Sequence, residues 1–180
     1  SPMKMMSEEL SDKVEVRYTD NPLDLDTSSG SMPPTDKLDD MNWADIVFMA
    51  NILKWGGPYT ARVCGIAREL GKFMHFDTDD LLTDLYKGHH LYDVYKENKL
   101  GDITKFVYAN SHLVTVTQVK FAERIKPYVG KCLAVVKNTL DYTLPAWNHP
   151  RTKSKHTRVG YAAGIHHRND VKVFSSIPHL

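Results

Sequence analysis

Residues 43–76 read WADIVFMANILKWGGPYTARVCGIARELGKFMHF, and this stretch decides the fold. Ile46-Val47-Phe48-Met49-Ala50 is a continuous apolar run, which predicts a strand buried on both faces. Lys54-Trp55-Gly56-Gly57-Pro58 makes a turn. Thr60 is placed to cap a helix whose Val63, Ile66, Ala67 and Leu70 fall at i, i+3, i+4 and i+7. Gly71 stands where such a helix stops. Phe73-Met74-His75-Phe76 reads as a second short buried strand. Strand, helix and strand joined by short links form a βαβ unit with parallel strands and a right-handed crossover.

The same alternation continues outward. Asp102 precedes a helix with Ile103, Phe106 and Val107 on one face, and Leu113 to Thr117 is a strand. Val119, Ala122 and Ile125 mark a helix ending near Pro127, and Cys132 to Val136 is a further strand. The expectation is an α/β domain, a Rossmann-like parallel sheet flanked by helices, over residues 1–142. Before it, Val14 to Tyr18 alternates apolar and polar residues and reads as a strand, and Thr19 to Asp40 reads as an irregular loop. Thr143 to Lys155, with Pro145, Pro150 and basic residues, reads as a linker, taken as residues 143–157. Arg158 to Ala162 then opens a new strand, and Asp170 can cap a helix bearing Val173, Phe174 and Ile177. Residues 158–180 therefore read as the first β-loop-α of a truncated second domain. The apolar side of its helix predicts cover by the first domain or by a second copy of the chain, a homodimer.

Composition narrows the class. With 42% hydrophobic and 25% charged residues in 180, the chain can build a core and does not read as disordered. A formal net charge of +1 argues against a nucleic-acid or acidic-membrane surface. Cys64 and Cys132, each in an apolar run, read as buried free thiols. No run approaches the roughly 20 apolar residues of a membrane span, and no apolar segment follows the first residues as in a signal peptide. A reducing cytoplasmic location fits these features.

Phe76-Asp77-Thr78-Asp79-Asp80-Leu81-Leu82 carries the sharpest chemistry. Three carboxylates at the C-terminal end of an interior strand stand where open α/β sheets bind ligands. Their mutual repulsion must be offset by a metal, a raised pKa, or hydrogen bonds to hydroxyls and amides. The plainer reading is that one aspartate caps the next helix and the others are solvated. Lys54, Trp55, Gly56 and Gly57 follow another strand at the same edge; the glycines permit close backbone approach and the indole could stack on a ring, or the segment is an ordinary turn with a packed Trp. Gly164-Ile165-His166-His167-Arg168 joins a strand to a helix N-terminus, a phosphate-binding context in which Arg168 and the imidazoles would add charge-assisted bonds, though polar loops of this kind are common. His89-His90 lacks a third ligand at a spacing that would suit zinc.

In this order, the segments WADIVFMAN, GKFMHFDTDDLLTDL, ANSHLVTVTQVKFAERIKPY, LAVVKNTLD and RVGYAAGIHHRNDV resemble the family-4-like GT-B glycosyltransferases of bacteria and phages. The resemblance spans about residues 43 to 175 and rests on order and spacing, since no single motif is specific. It implies transfer of a sugar from a nucleotide-sugar to an acceptor, carbohydrate or lipid-linked, in a cleft between two Rossmann-like domains. It implies no metal and no cofactor beyond the nucleotide-sugar co-substrate, helix dipoles and basic side chains holding the diphosphate. By position, Asp77, Asp79 and Asp80 would face the acceptor, with Asp79 or Asp80 orienting its hydroxyl or acting as base. Lys54, Trp55, Gly56 and Gly57 would lie at the same edge. Gly164, His166, His167 and Arg168 would line the donor side, and Asn138 and Asp141 the domain junction. Retention of anomeric configuration is implied by the family alone. The sequence departs from the family at Lys137 and Thr139, where Pro and Gly are usual, and in showing no N-terminal glycine-rich loop. The rest of the donor domain is also missing, which predicts poor donor binding and no sugar transfer by these 180 residues alone.

Three other readings compete. HFDTDDLLTD imitates the Asp-x-Asp signature of haloacid-dehalogenase-type phosphatases, in which Asp77 would be nucleophile, Asp79 acid/base, and Mg²⁺ would bridge them to phosphate. Leu81 stands where that signature has Thr or Val, and the motif follows at least two strands instead of opening the domain. A GT-A transferase would use Asp77 and Asp79 to bind Mn²⁺. A non-catalytic binding domain would keep half the fold and need no donor.

Overall fold

The computed structural model describes residues 13–18, 38–50, 57–89, 91–139 and 155. Four strands, β1 (Ile46–Met49), β2 (Phe73–Thr78), β3 (Leu113–Val116) and β4 (Cys132–Val135), form one sheet in the order β1-β2-β3-β4. Every neighbouring pair is parallel. Five helices accompany them among the described residues: α1 (Asp39–Trp43), α2 (Gly57–Glu69), α3 (Tyr92–Glu97), α4 (Leu100–Asn110) and α5 (Val119–Ile125). A single 3₁₀ turn, Lys126–Tyr128, follows α5. This is the expected Rossmann-like α/β arrangement.

The sheet order dictates where the core lies. Successive right-handed crossovers that always step in one direction set their helices on one face of the sheet. Burial agrees. In β2 the residues alternate, with Met74, Phe76 and Thr78 buried and Phe73, His75 and Asp77 less so. Val47, Met49, Val114, Val116 and Leu133 share the Met74–Phe76 side by register and join the core or pack against it. The ring of Phe76 lies 5.8 Å from that of Tyr108 on α4. Burying side chains of this size stabilises by about 1.5–3 kcal/mol each.

β2, expected as a short buried strand, therefore alternates, with one side covered more than the other. β1, whose continuous apolar run predicted burial on both faces, departs further: it is an edge strand among the described residues, and Ile46 is 61% exposed. A run of apolar residues cannot reveal on its own which face a helix will cover. Val14 to Tyr18, expected as a strand, joins no ladder. It is held by side chains instead, with the Arg17 guanidinium 4.0 Å over the Trp43 ring and 3.8 Å from the Asp40 carboxylate.

Helix α2 begins at Gly57, so Thr60 is a buried residue within it and not its cap. Its covered stripe is Thr60, Val63, Cys64 and Ala67 at i, i+3, i+4 and i+7, joined by Ile66. Leu70 lies beyond the helix and is exposed. The stop is as expected. Gly71 takes φ 67°, its N–H reaches the Arg68 carbonyl at 3.0 Å, and Lys72 N–H reaches the Ala67 carbonyl at 2.8 Å, which is a Schellman motif. Helix α4 starts at Leu100, before Asp102, and buries Leu100, Thr104, Val107 and Tyr108. Phe106, expected in that stripe, is 43% exposed because it falls outside the i, i+4, i+7, i+8 set. The buried Thr104 and Ser111 hydroxyls donate back to the Leu100 and Val107 carbonyls at 2.6 and 2.7 Å, so neither is left unpaired.

Two short helices had no clear periodic signal. Helix α1 starts in the last two residues of the segment expected as loop and runs on through unassigned ones, and α3 lies in a segment with no assignment; with five and six residues, neither repeats an apolar stripe. Cys64 is a buried free thiol as expected, whereas Cys132 is free but exposed because it opens β4 on the side away from the core.

Candidate functional site

β2 is an interior strand and delivers the acidic stretch to the carboxyl edge of the sheet. Its pleat separates the three carboxylates. Asp77 is still within the strand, paired by register with Thr115 on β3. The Thr115 hydroxyl donates a short hydrogen bond to Asp77 Oδ1. Having given up its one proton, Thr115 can only accept at the other contact, His75 Nε2 at 3.0 Å. His75 is therefore the Nε2–H tautomer. The Phe48 ring meets it edge-on at 4.8 Å. Burial lowers the His75 pKa below its ordinary value, and the Asp77 charge opposes that shift in part. Asp77, Thr115 and His75 thus form a polar chain on the sheet face opposite the core.

Beyond Thr78 the backbone turns sharply. The Asp80 carbonyl accepts both the Thr78 hydroxyl, at 3.1 Å, and the Leu82 N–H, at 2.9 Å. That turn leaves the Asp79 and Asp80 side chains exposed at the strand tip. Among the described residues neither carboxylate has a hydrogen-bonding or ionic partner.

A partly enclosed cavity of about 100 Å³ lies directly behind Asp80. Leu81, Leu82, Leu85 and Leu91 form its walls, and Asp80, His89 and Tyr95 supply polar groups. The loop that builds it is fixed at several points. His89 Nδ1 accepts the Leu91 N–H at 3.1 Å, and Arg124 on α5 donates a short hydrogen bond to Asp84. Tyr95 comes from α3; burial raises its pKa, and a backbone hydrogen bond at Leu85 opposes the rise. Gly101 makes room for this ring, since a Cβ there would collide with the Tyr95 hydroxyl. Deeper in the core, the Tyr108 hydroxyl is buried without a well-formed hydrogen bond. Burial raises its pKa, and the nearby Thr78 hydroxyl counters part of that effect. A shallower groove, of about 500 Å³, runs from Pro58 at the start of α2 to residues 97–106 and combines Glu97, Lys99 and Asp102.

The structure thus brings Asp79 and Asp80 to one edge and ties Asp77 into the sheet. Gly57 is the first residue of α2, so it opens a helix instead of completing a turn. Lys54, Trp55, Gly56, Gly164, His166, His167 and Arg168 lie outside the described residues, as do the proposed linker apart from Lys155 and the second domain. Of the junction pair, Asn138 follows β4 and is exposed, and Asp141 lies outside. Sequence reasoning missed His75 and Thr115, whose link spans 40 residues and has no local pattern. It also missed the leucine cavity, for which the spacing of Leu81, Leu82, Leu85 and Leu91 is the only trace. Among the described residues there is no group of three His, Cys, Asp or Glu side chains poised for a metal ion. No helix among them is long and apolar enough to cross a membrane. Comparison with protein-family models, curated proteins and solved structures gives no match.

Proposed function

We propose that this chain forms the acceptor-side lobe of a glycosyltransferase that takes its sugar from a nucleotide-sugar donor. One observation carries the reading: Asp80, whose exposed carboxylate has no partner among the described residues, lines a cavity at the carboxyl edge of an interior parallel strand. Open parallel sheets bind ligands outside that edge. A solvent-facing carboxylate free of ion pairs can accept a proton from an attacking hydroxyl or orient it. Asp79 is adjacent and supplies a second exposed carboxylate at the strand tip. The donor diphosphate is expected at Gly164, His166, His167 and Arg168 in a second lobe, with Lys54, Trp55, Gly56 and Gly57 at the same edge. The order of the quoted sequence segments supports that part of the proposal.

The phosphatase alternative asks more of Asp77. A nucleophilic carboxylate must present an oxygen to phosphorus, and Asp77 already spends Oδ1 on Thr115 inside the β2–β3 ladder. The test assays the protein at its full natural length against a panel of nucleotide-sugars, reading nucleoside diphosphate release with simple alcohols and sugars as acceptors. Asp80→Asn is expected to lower the acceptor-dependent rate by about 10²–10⁴-fold. An unchanged rate in Asp80→Asn and Asp79→Asn, singly and together, would remove both carboxylates from the mechanism. Mg²⁺-dependent hydrolysis of an aryl phosphate, lost in Asp77→Asn, would establish the phosphatase instead.

A further inference from the structure

We infer that the cavity behind Asp80 is an acceptor subsite for an alcohol whose hydroxyl carries a compact hydrocarbon group, and not for a whole sugar ring. The inference rests on the acceptor-side reading above and extends it to the chemistry of the acceptor. Leu81, Leu82, Leu85 and Leu91 make most of the lining hydrocarbon, and Asp80 is the one carboxylate-bearing residue in it, beside His89 and Tyr95. Beside four leucines the lining offers polar groups only at Asp80, His89 and Tyr95, so most hydroxyls of a sugar ring inserted there would face hydrocarbon without hydrogen bonds, which is costly. Size gives the same answer. An apolar cavity of about 150 Å³ takes one benzene molecule, so the volume of about 100 Å³ found here takes roughly four carbon atoms. An alcohol with a small ring or short branch places its carbons among the leucines and its O–H on the Asp80 carboxylate. The Tyr95 ring, seated against the glycine at position 101, closes one side and limits the length of the hydrocarbon group.

Cyclobutanol and cyclobutanone are suitable probes because they match in size and differ in the hydroxyl proton. Each is titrated into the ¹⁵N,¹³C-methyl-labelled 180-residue chain and followed by NMR. Cyclobutanol is expected to shift the methyl resonances of Leu82, Leu85 and Leu91 and to bind about tenfold more tightly than the ketone, as a hydrogen bond to a charged acceptor would give. In Asp80→Asn that preference is expected to fall to within about twofold, because the amide can pair with either probe. Leu85→Phe, which fills the cavity, is expected to abolish binding of both, and Leu85→Met, which nearly conserves volume, to keep it within about threefold. Equal binding of alcohol and ketone by the unaltered chain overturns the inference. So does the absence of saturable shifts at the three leucines, or binding that survives Leu85→Phe in a variant with an otherwise unaltered spectrum. The titration contains no donor, so it stands apart from the transfer assay. Loss of transfer in Asp80→Asn without cavity binding sinks this inference alone, and cavity binding in a protein that transfers no sugar sinks the functional reading.

Discussion

Thr115 is the residue on which the polar side of the sheet turns. Its hydroxyl donates to Asp77 and accepts from His75, so removing it leaves a carboxylate and an imidazole that must find other partners. The sign of the resulting pH dependence follows from His75. Its pKa in the folded chain is lowered from the usual 6.5, so between the two values the unfolded chain binds more protons. Stability is fully present above about pH 6.5 and falls as the pH drops below it. The difference in Tm between pH 8 and pH 5 is therefore expected to be smaller in His75→Gln than in the unaltered chain. An equal or larger pH dependence in the variant would show that protonation of His75 is not opposed by the fold. Cys64 stands at the other extreme: burial pushes its thiol up to about 12, which makes it inert as a nucleophile near neutral pH.

At the scale of elements, the strands are held in place by what ends and joins the helices. Gly71 closes α2 in the left-handed region, where a Cβ is strained even though nothing crowds the position. Gly130, between the 3₁₀ turn and β4, has the opposite problem: an added Cβ would strike the Ala109 carbonyl at the end of α4. Backbone cannot move aside as a side-chain tip can. Chemical denaturation is expected to show a loss of about 1–2 kcal/mol for Gly71→Ala, and about 1–3 kcal/mol for Gly130→Ala. A neutral Gly130→Ala would mean that the α4–β4 junction is looser than the structure has it. The site depends on the same kind of detail. The Thr78 hydroxyl and the Leu82 amide converge on one carbonyl, and that turn is what releases Asp79 and Asp80 from the strand.

For the whole molecule, the one-directional strand order gives the sheet two unlike faces. Met74 is completely buried beneath the helices, whereas Ile46, one strand away and on the other face, is largely exposed. Met74→Ala is expected to cost about 2–5 kcal/mol. Ile46→Lys should stay within about 0.5 kcal/mol. Equal costs, read from paired urea titrations, would mean that both faces are covered. By itself the sequence determined the alternation of strands and helices, the parallel α/β class and the edge at which the acidic residues gather. Periodicity, glycine stops and the handedness of short crossovers are local or nearly local properties, and they are written in neighbouring residues. Only the tertiary structure decided which face of each strand is covered, that β1 is an edge among the described residues, that Asp77 is tied to Thr115, and that four leucines enclose a cavity behind Asp80. The Asp77–Thr115 bond joins residues 38 positions apart, and the cavity needs α3 laid against the loop that follows β2. Such contacts depend on how whole elements pack, and the run of apolar and polar residues within any one element does not specify them.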